Sequence, residues 1–281
     1  MASVAIVTDT SSDLLPDDAE KAGIRLVPLS VSFGDQTFQA VTELSNEEFY
    51  DRLTAPGAPL PKTAAPNPQQ FEAAYRDALE HGADSVVCVT ISKELSATYG
   101  SAVQGAAAFG PGQVEVVDSR TVTHALAMLA TDAAALARSG ASQAEVVARV
   151  RDLVPRSHIL FAVDTLEYLQ RGGRIGRASA LLGSVLSIKP ILRVEDGVVA
   201  TADRRRTAAK ARARLLELAC EHPIEQATVV HTVTPGIEAF RDELAAAAGL
   251  APEAIGIGLV GPVAGTHVGP GLYGVSLITT G

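Results

Sequence analysis

The sequence predicts an α/β fold in two domains, the first built on a mostly parallel sheet with crossover helices. Three observations carry that expectation. Apolar runs alternate with segments of 3.6-residue period almost from the first residue. The chain has 281 residues, about twice the modal domain of ~100–150 residues. Its composition, 47% hydrophobic against 20% charged, suits a large packed core.

Taken in order, "VAIVTD" (4–9) reads as the first strand, with a short helix near 17–23 and an apolar stretch "IRLVPLSVSF" (24–33) after it. A helix starts from Ser45, whose spacing to Glu48 makes a capping box. The next opens at the "NP" of 67–68 and puts Phe71, Ala74, Tyr75, Ala78 and Leu79 on one face. Strand "SVVCVTI" (85–91) leads to a helix with Tyr99, Ala102, Val103, Ala106 and Ala107 on its inner face, and then to strand "VEVVDS" (114–119). Two helices, 122–138 and 143–154, follow, the second opened by a Ser142 to Glu145 capping box. Pro155 marks the expected boundary between an N-terminal α/β domain (1–155) and a C-terminal one (156–281).

The second half begins with strand "ILFAV" (159–163) and a Gly/Arg-rich segment at 171–177. Strands near 188–194 and 198–203 form a hairpin through the turn "EDG". Helices near 207–220 and 235–248 flank strand "ATVVHTV" (227–233), with Thr234 as N-cap and Pro235 at the first helical position. "GVSLITT" is the last strand.

Composition excludes several classes of function. A net charge of −9 argues against general nucleic-acid binding. With no Trp and 4% aromatic residues, an internal pocket is expected to be aliphatic. The start "MASVAIVTDTSSD" has no basic or long apolar segment of a signal peptide, and no apolar run approaches the ~20 residues of a membrane span. A cytoplasmic protein without stable membrane insertion is expected. Cys88 and Cys220 read as buried inert thiols rather than a disulfide framework. There is no P-loop, no G-x-S-x-G elbow and no metal-type His or Cys spacing, so no cofactor or metal is expected. "GPGLYG" (269–274) matches G-x-G-x-x-G, but it leads into a strand, contains Pro270, and leaves no room for an acidic residue ~20 positions on.

Three hydroxyl-rich loops, "TDTSSD" (8–13), "PKTAAPNP" (61–68) and "SKELSATY" (92–99), stand where ligands bind in open α/β sheets. Singly, Ser96 reads as an N-cap and Thr63 as an ordinary loop residue. Near the end, "VGPVAGTHVGPGLYG" (260–274) reads as a tight glycine-rich loop presenting Thr266 and His267. Charge is uneven as well. Residues 170–214 carry eleven of the 23 Lys and Arg against three acids, a net +8 that leaves −17 elsewhere and suits an acidic or phosphate-bearing partner. For Lys210, Arg212 and Arg214 a solvated helix face is the simpler reading.

These pieces together resemble the DegV family, which includes the fatty-acid-binding subunits of bacterial fatty acid kinase. The likeness lies in "VTDTSSDL" (7–14), "KTAAPNPQQF" (62–71), "ISKELSATYGSA" (91–102), "VVDSRTV" (116–122), "LEYLQRGGRIG" (166–176), "IKPIL" (188–192), "EDG", "RRT" (205–207) and "GPVAGTHVGPG" (261–271). It implies two α/β domains with a lipid tunnel between elements, and a long-chain fatty acid whose carboxyl is held by Thr63, Ser96 and His267. Asp9, Ser11, Ser12, Thr98, Gly265 and Thr266 are the supporting candidates. The resemblance further implies a non-enzymatic carrier that presents its lipid to a separate ATP-dependent fatty acid kinase, making acyl phosphate for phospholipid synthesis, with Arg174 and Arg206 meeting that partner. Ala64, Ala65 and Ala97 depart from the family's "KTSQP" and "LSGTY" patterns. The rival expectation is a serine-dependent acyl hydrolase using Ser96 and His267, with Asp9 completing a triad.

Overall fold

The computed structural model describes residues 3–182 and 188–280. Its first half contains β1 (Val4–Asp9), α1 (Pro16–Ala22), β2 (Ile24–Val27), β3 (Ser30–Phe33), β4 (Gln36–Gln39), α2 (Asn46–Thr54), β5 (Lys62–Ala64), α3 (Pro68–Glu80), β6 (Ser85–Thr90), α4 (Thr98–Ala106), β7 (Val114–Asp118), α5 (Thr123–Arg138) and α6 (Gln143–Leu153). β1, β2, β6 and β7 form an all-parallel sheet in the order β2-β1-β6-β7. Such strands are covered on both faces. That is why β1 and β6 read as unbroken apolar runs rather than alternating ones, and β6 is buried at every position.

The stretch 24–33 divides at Pro28 and Leu29. β2 joins the parallel sheet, while β3 leaves it for a small antiparallel sheet ordered β4-β3-β5, in which Val31 pairs with Phe38 and Thr63. Phe33, Phe49, Tyr50 and Leu53 fill the space beneath this sheet, and burying a side chain of this size contributes roughly 1.5–3 kcal/mol.

The second half adds β8 (Ser157–Ala162), α7 (Glu167–Arg171), β9 (Lys189–Glu195), β10 (Val198–Arg205), α8 (Ala208–Ala219), β11 (Ile224–His231), α9 (Ile237–Ala248), β12 (Ile255–Leu259), α10 (Pro262–Val268) and β13 (Tyr273–Thr279). Their six-stranded sheet runs β10-β9-β8-β13-β11-β12, with β11 and β12 its parallel pair. The β9–β10 hairpin turns through Asp196 (φ 53°) and Gly197 (φ 80°), the two positive φ angles that a two-residue turn matched to strand twist requires.

α5 lies between the two large sheets. Leu126, Leu129 and Ala133 pack with Ile6, Val87 and Val89, while Ala125 packs with Phe161 and Val230 on the other side. Its alanines let both sheets approach closely.

Several expectations are corrected. The Ser142–Glu145 box forms in full, but at Ser45 only half of one forms, because the Glu48 carboxylate turns to Arg52. α4 buries Thr98, Ala102 and Gly105 rather than Val103 and Ala107, which are exposed. Gly105 faces α3 because a Cβ there would lie 2.6 Å from the Pro68 carbonyl. Thr234 does not cap α9, which starts after Gly236; its hydroxyl donates to the Leu272 carbonyl instead. His267 sits on the last turn of the helix α10 and not on a loop, Gly261 and Pro262 supplying its start.

Candidate functional site

Where α10, the turn after β6 and the start of α5 meet the six-stranded sheet, they enclose a cavity of about 760 Å³, counting the space open at its mouth. Ile91, Phe161, Val199, Val230, Val260 and Leu272 make apolar walls. Thr63, Ser96, Arg174 and His267 supply a polar cluster. Three of these, Thr63, Arg174 and His267, also line a neighbouring outer cleft of about 840 Å³ that carries Lys62 and Arg171. The polar cluster is therefore the junction between an apolar interior and a basic mouth.

Each member is placed by local backbone. Thr63 sits on the edge strand β5 opposite Val31. Ser96 lies in a turn fixed by Ser92, whose N–H donates to the Thr121 carbonyl and whose hydroxyl donates to the Gly197 carbonyl, while the Ser96 N–H returns to the Ser92 carbonyl. The Ser96 hydroxyl lies 2.8 Å from that of Thr98. His267 and the helix that carries it are closely packed by neighbours on two sides. A Cβ on Gly172 would come within 2.2 Å of its Nδ1, and one on Gly265 within 2.8 Å of Phe49 and Tyr50. Only glycine lets α7 and α2 approach α10 so closely.

His267 Nε2 is 2.9 Å from the Thr63 hydroxyl, and its buried Nδ1 has no partner among the described residues. Burial, and then the neighbouring Arg174 charge, hold the imidazole down to about 4, so the ring is neutral at pH 7. The Arg174 guanidinium is anchored by the carbonyls of Leu95 (3.0 Å) and Gly172 (2.8 Å) and pairs with no carboxylate among the described residues. Sequence reasoning assigned Arg174 to a partner surface. The structure brings it, half-buried, into the cavity wall, where it offers an uncompensated positive charge.

The supporting candidates divide. Thr98 touches Ser96, and Thr266 lines the outer cleft while donating to the Pro262 carbonyl. Gly265 acts through close packing. Asp9, Ser11 and Ser12 do not line the cavity. The Asp9 carboxylate accepts from the Ser11 N–H and hydroxyl and from the Ile91 N–H at 2.9 Å, so it anchors the strand end that delivers Ile91. Desolvation raises its pKa. No relay of Asp9, His267 and Ser96 exists, since the acid is held by Ser11 and Ile91, the imidazole by Thr63 and the serine by Thr98. Ala64, Ala65 and Ala97 also stay out of the cavity lining.

The basic segment is largely neutralised by the fold. Arg171 pairs with Glu167, Arg177 with Asp196, Lys189 with Asp164, Arg193 with Glu195, Arg205 and Arg214 with Asp203, and Arg212 with Glu243. Arg212 also covers the Phe240 ring, so of the three expected on a solvated helix face only Lys210 is unpaired. Arg206 is exposed, and the side-chain charges of Arg204, Arg206 and Lys210 form no ion pair with an acid among the described residues, although the Arg204 backbone N–H donates to the Asp203 carboxylate. Cys88 and Cys220 are both free thiols, and Cys88 is fully buried. Among the described residues there is no His, Cys, Asp or Glu cluster suited to a metal and no helix long and apolar enough to cross a membrane.

The DegV family model, described as an uncharacterised protein family, matches residues 3–280. The chain belongs to the DegV family. A DegV domain-containing protein of Deinococcus radiodurans is 41% identical over 280 residues, covering 98% of both chains. Among solved structures, a DegV family protein from Thermus thermophilus, described for its fatty acid binding, superposes with a TM-score of 0.91 at 35% identity, covering 99% of this chain and 100% of that one. DegV of Bacillus subtilis, described as a fatty acid binding protein, superposes at 0.86 with 28% identity over the whole of both chains. The DegV likeness thus spans both large sheets and every element around the cavity.

Proposed function

We propose that this DegV chain is a carrier of a long-chain fatty acid, with the acyl chain in the apolar cavity and the carboxylate at Thr63, Ser96, His267 and Arg174. The observation that carries the reading is the pairing of an aliphatic interior with a polar cluster that holds a positive charge and no acid. A carboxylate there gains a guanidinium and hydroxyl donors, and charge-assisted hydrogen bonds of this kind are stronger than neutral ones. Two structurally similar DegV proteins, from Thermus thermophilus and Bacillus subtilis, are described as fatty acid binders, which supports the same ligand class here.

Magnitudes assign the roles. Burying a 16-carbon tail at ~0.8 kcal/mol per CH₂ gives roughly 13 kcal/mol gross, partly offset by ordering and desolvation. The head-group bonds add about 1 kcal/mol each. The tail sets affinity; the cluster sets where the carboxylate points.

That orientation suits transfer to a separate ATP-dependent kinase. A carboxylate oxygen attacks the γ-phosphorus of ATP, ADP leaves, and an acyl phosphate forms. The outer cleft, where Lys62 joins Arg174, faces the incoming phosphoryl group, and exposed Arg206 with Arg204 and Lys210 offers the unpaired charge for docking. Ser96, His267 and Asp9 are engaged with Thr98, Thr63 and Ile91 rather than with one another, and this weighs against the hydrolase. The test compares Ser96→Ala and His267→Ala with wild type: acyl-phosphate formation with the cognate kinase and ATP should fall by more than fatty-acid binding does. Kinase turnover retained in full by both variants would remove these residues from the site.

A further inference from the structure

The polar cluster does not account for all of the cavity wall. Apart from Thr63, Ser96, Arg174 and His267, the one polar side chain lining it among the described residues is Thr123, the first residue of α5. Thr123 is 6% exposed, and its hydroxyl has no hydrogen-bond partner among the described residues. Val122, at the N-cap of the same helix, also lines the cavity and offers no side-chain acceptor to the first-turn N–H groups, which lack intrahelical partners. A 16-residue helix therefore brings its positive end and an unpaired hydroxyl to the wall of an otherwise aliphatic chamber. Buried polar groups are nearly always paired, and an unpaired one is costly.

We propose that the start of α5 is a second polar site within the cavity, which takes an oxygen substituent on the acyl chain. The ligand class is a long-chain fatty acid carrying a hydroxyl or oxo group part-way along its tail. This rests on the fatty-acid reading above and narrows its ligand. The substituent oxygen accepts a hydrogen bond from the Thr123 hydroxyl, and the helix end favours the oxygen's partial negative charge. A site that hydrogen-bonds a ligand oxygen discriminates against analogues that lack it at that place, because its own buried groups are then left unpaired. The carboxylate is fixed at one end, so the site reads the distance from carboxylate to substituent.

The test measures dissociation constants of stearate and a series of monohydroxystearates, differing in hydroxyl position, for wild type, Thr123→Val and Thr123→Ser. Comparing positional isomers cancels the hydration of the hydroxyl itself. Valine keeps the branched shape at φ +54° and replaces the hydroxyl, donor and acceptor alike, with a methyl, while serine keeps the hydroxyl. In wild type, one position should bind about fivefold or more tighter than its neighbours, the equivalent of one hydrogen bond. Thr123→Val should level the isomers and bind stearate at least as tightly as wild type does, and Thr123→Ser should keep the preference. Isomers that bind wild type equally, or a preference that survives in Thr123→Val, overturn the inference while leaving the carrier reading intact. A wild-type protein that binds neither stearate nor any isomer overturns both.

Discussion

Lowering the pH from 7 to 5 should destabilise the lipid-free protein through His267 by about 2 kcal/mol. Its imidazole titrates near 4 in the folded protein, held there by burial and Arg174, against 6.5 when free. Between those values the unfolded chain binds a proton that the folded chain refuses. Stability from this group is therefore complete above about pH 6.5, declines as pH falls, and levels near the folded value. Burial shifts His124, His158 and His231 in the same direction and raises the carboxyls of Asp9 and Asp13, so the overall profile does not isolate one ring. The difference between wild type and His267→Gln does. Urea unfolding at pH 7 and pH 5, followed by circular dichroism because the chain has no Trp, should show that difference shrinking by about 2 kcal/mol at the lower pH. A wild-type advantage that is the same at both pH values would refute the buried, neutral His267.

Gly172→Ala drives a methyl into His267 Nδ1 and should weaken fatty-acid binding about tenfold with secondary structure retained; unchanged affinity would mean that the ring is not held by this contact. The Cys88 thiol, pushed up to about 12 by burial, should resist a thiol reagent in the native protein while Cys220 reacts first, and equal labelling rates would contradict the packing around β6. Arg206→Ala should leave bound lipid unchanged but slow acyl-phosphate formation and flatten its salt dependence; unaltered kinetics at every salt concentration would assign the exposed arginine another purpose.

The parallel sheet was legible because burial on both faces leaves continuous apolar runs, as in β1 and β6, and because crossover helices such as α3 and α6 carry their caps in sequence. β4, β5 and β12 were not legible. The first two are short edge strands with exposed residues, and β12 alternates Ile255, Ile257 and Leu259 with Gly256 and Gly258, and glycine inside so short a run weakens its strand signal. The helix carrying His267 had a signal that its glycines obscured, the Gly261–Pro262 start.

At the site, Thr63, Ser96 and His267 could be named from motifs, and the structure does bring them to one cavity. The place of Arg174 could not be named, because its anchors are the carbonyls of Leu95 and Gly172, which have no sequence signature. The local +8 was read correctly as composition but overstated as a surface field, since Asp164, Glu167 and Glu243 reach it from outside the segment. Thr123 gave no signal at all, for an unpaired hydroxyl is visible only once its surroundings are known.

The most direct test of the carrier reading is lipid mass spectrometry on purified protein that has been denatured and extracted. The account predicts close to one long-chain fatty acid per chain, released only on unfolding, and no turnover of acyl esters by the native protein. Protein that carries no fatty acid, takes none up when it is supplied, and instead hydrolyses acyl esters in a Ser96-dependent manner would contradict it.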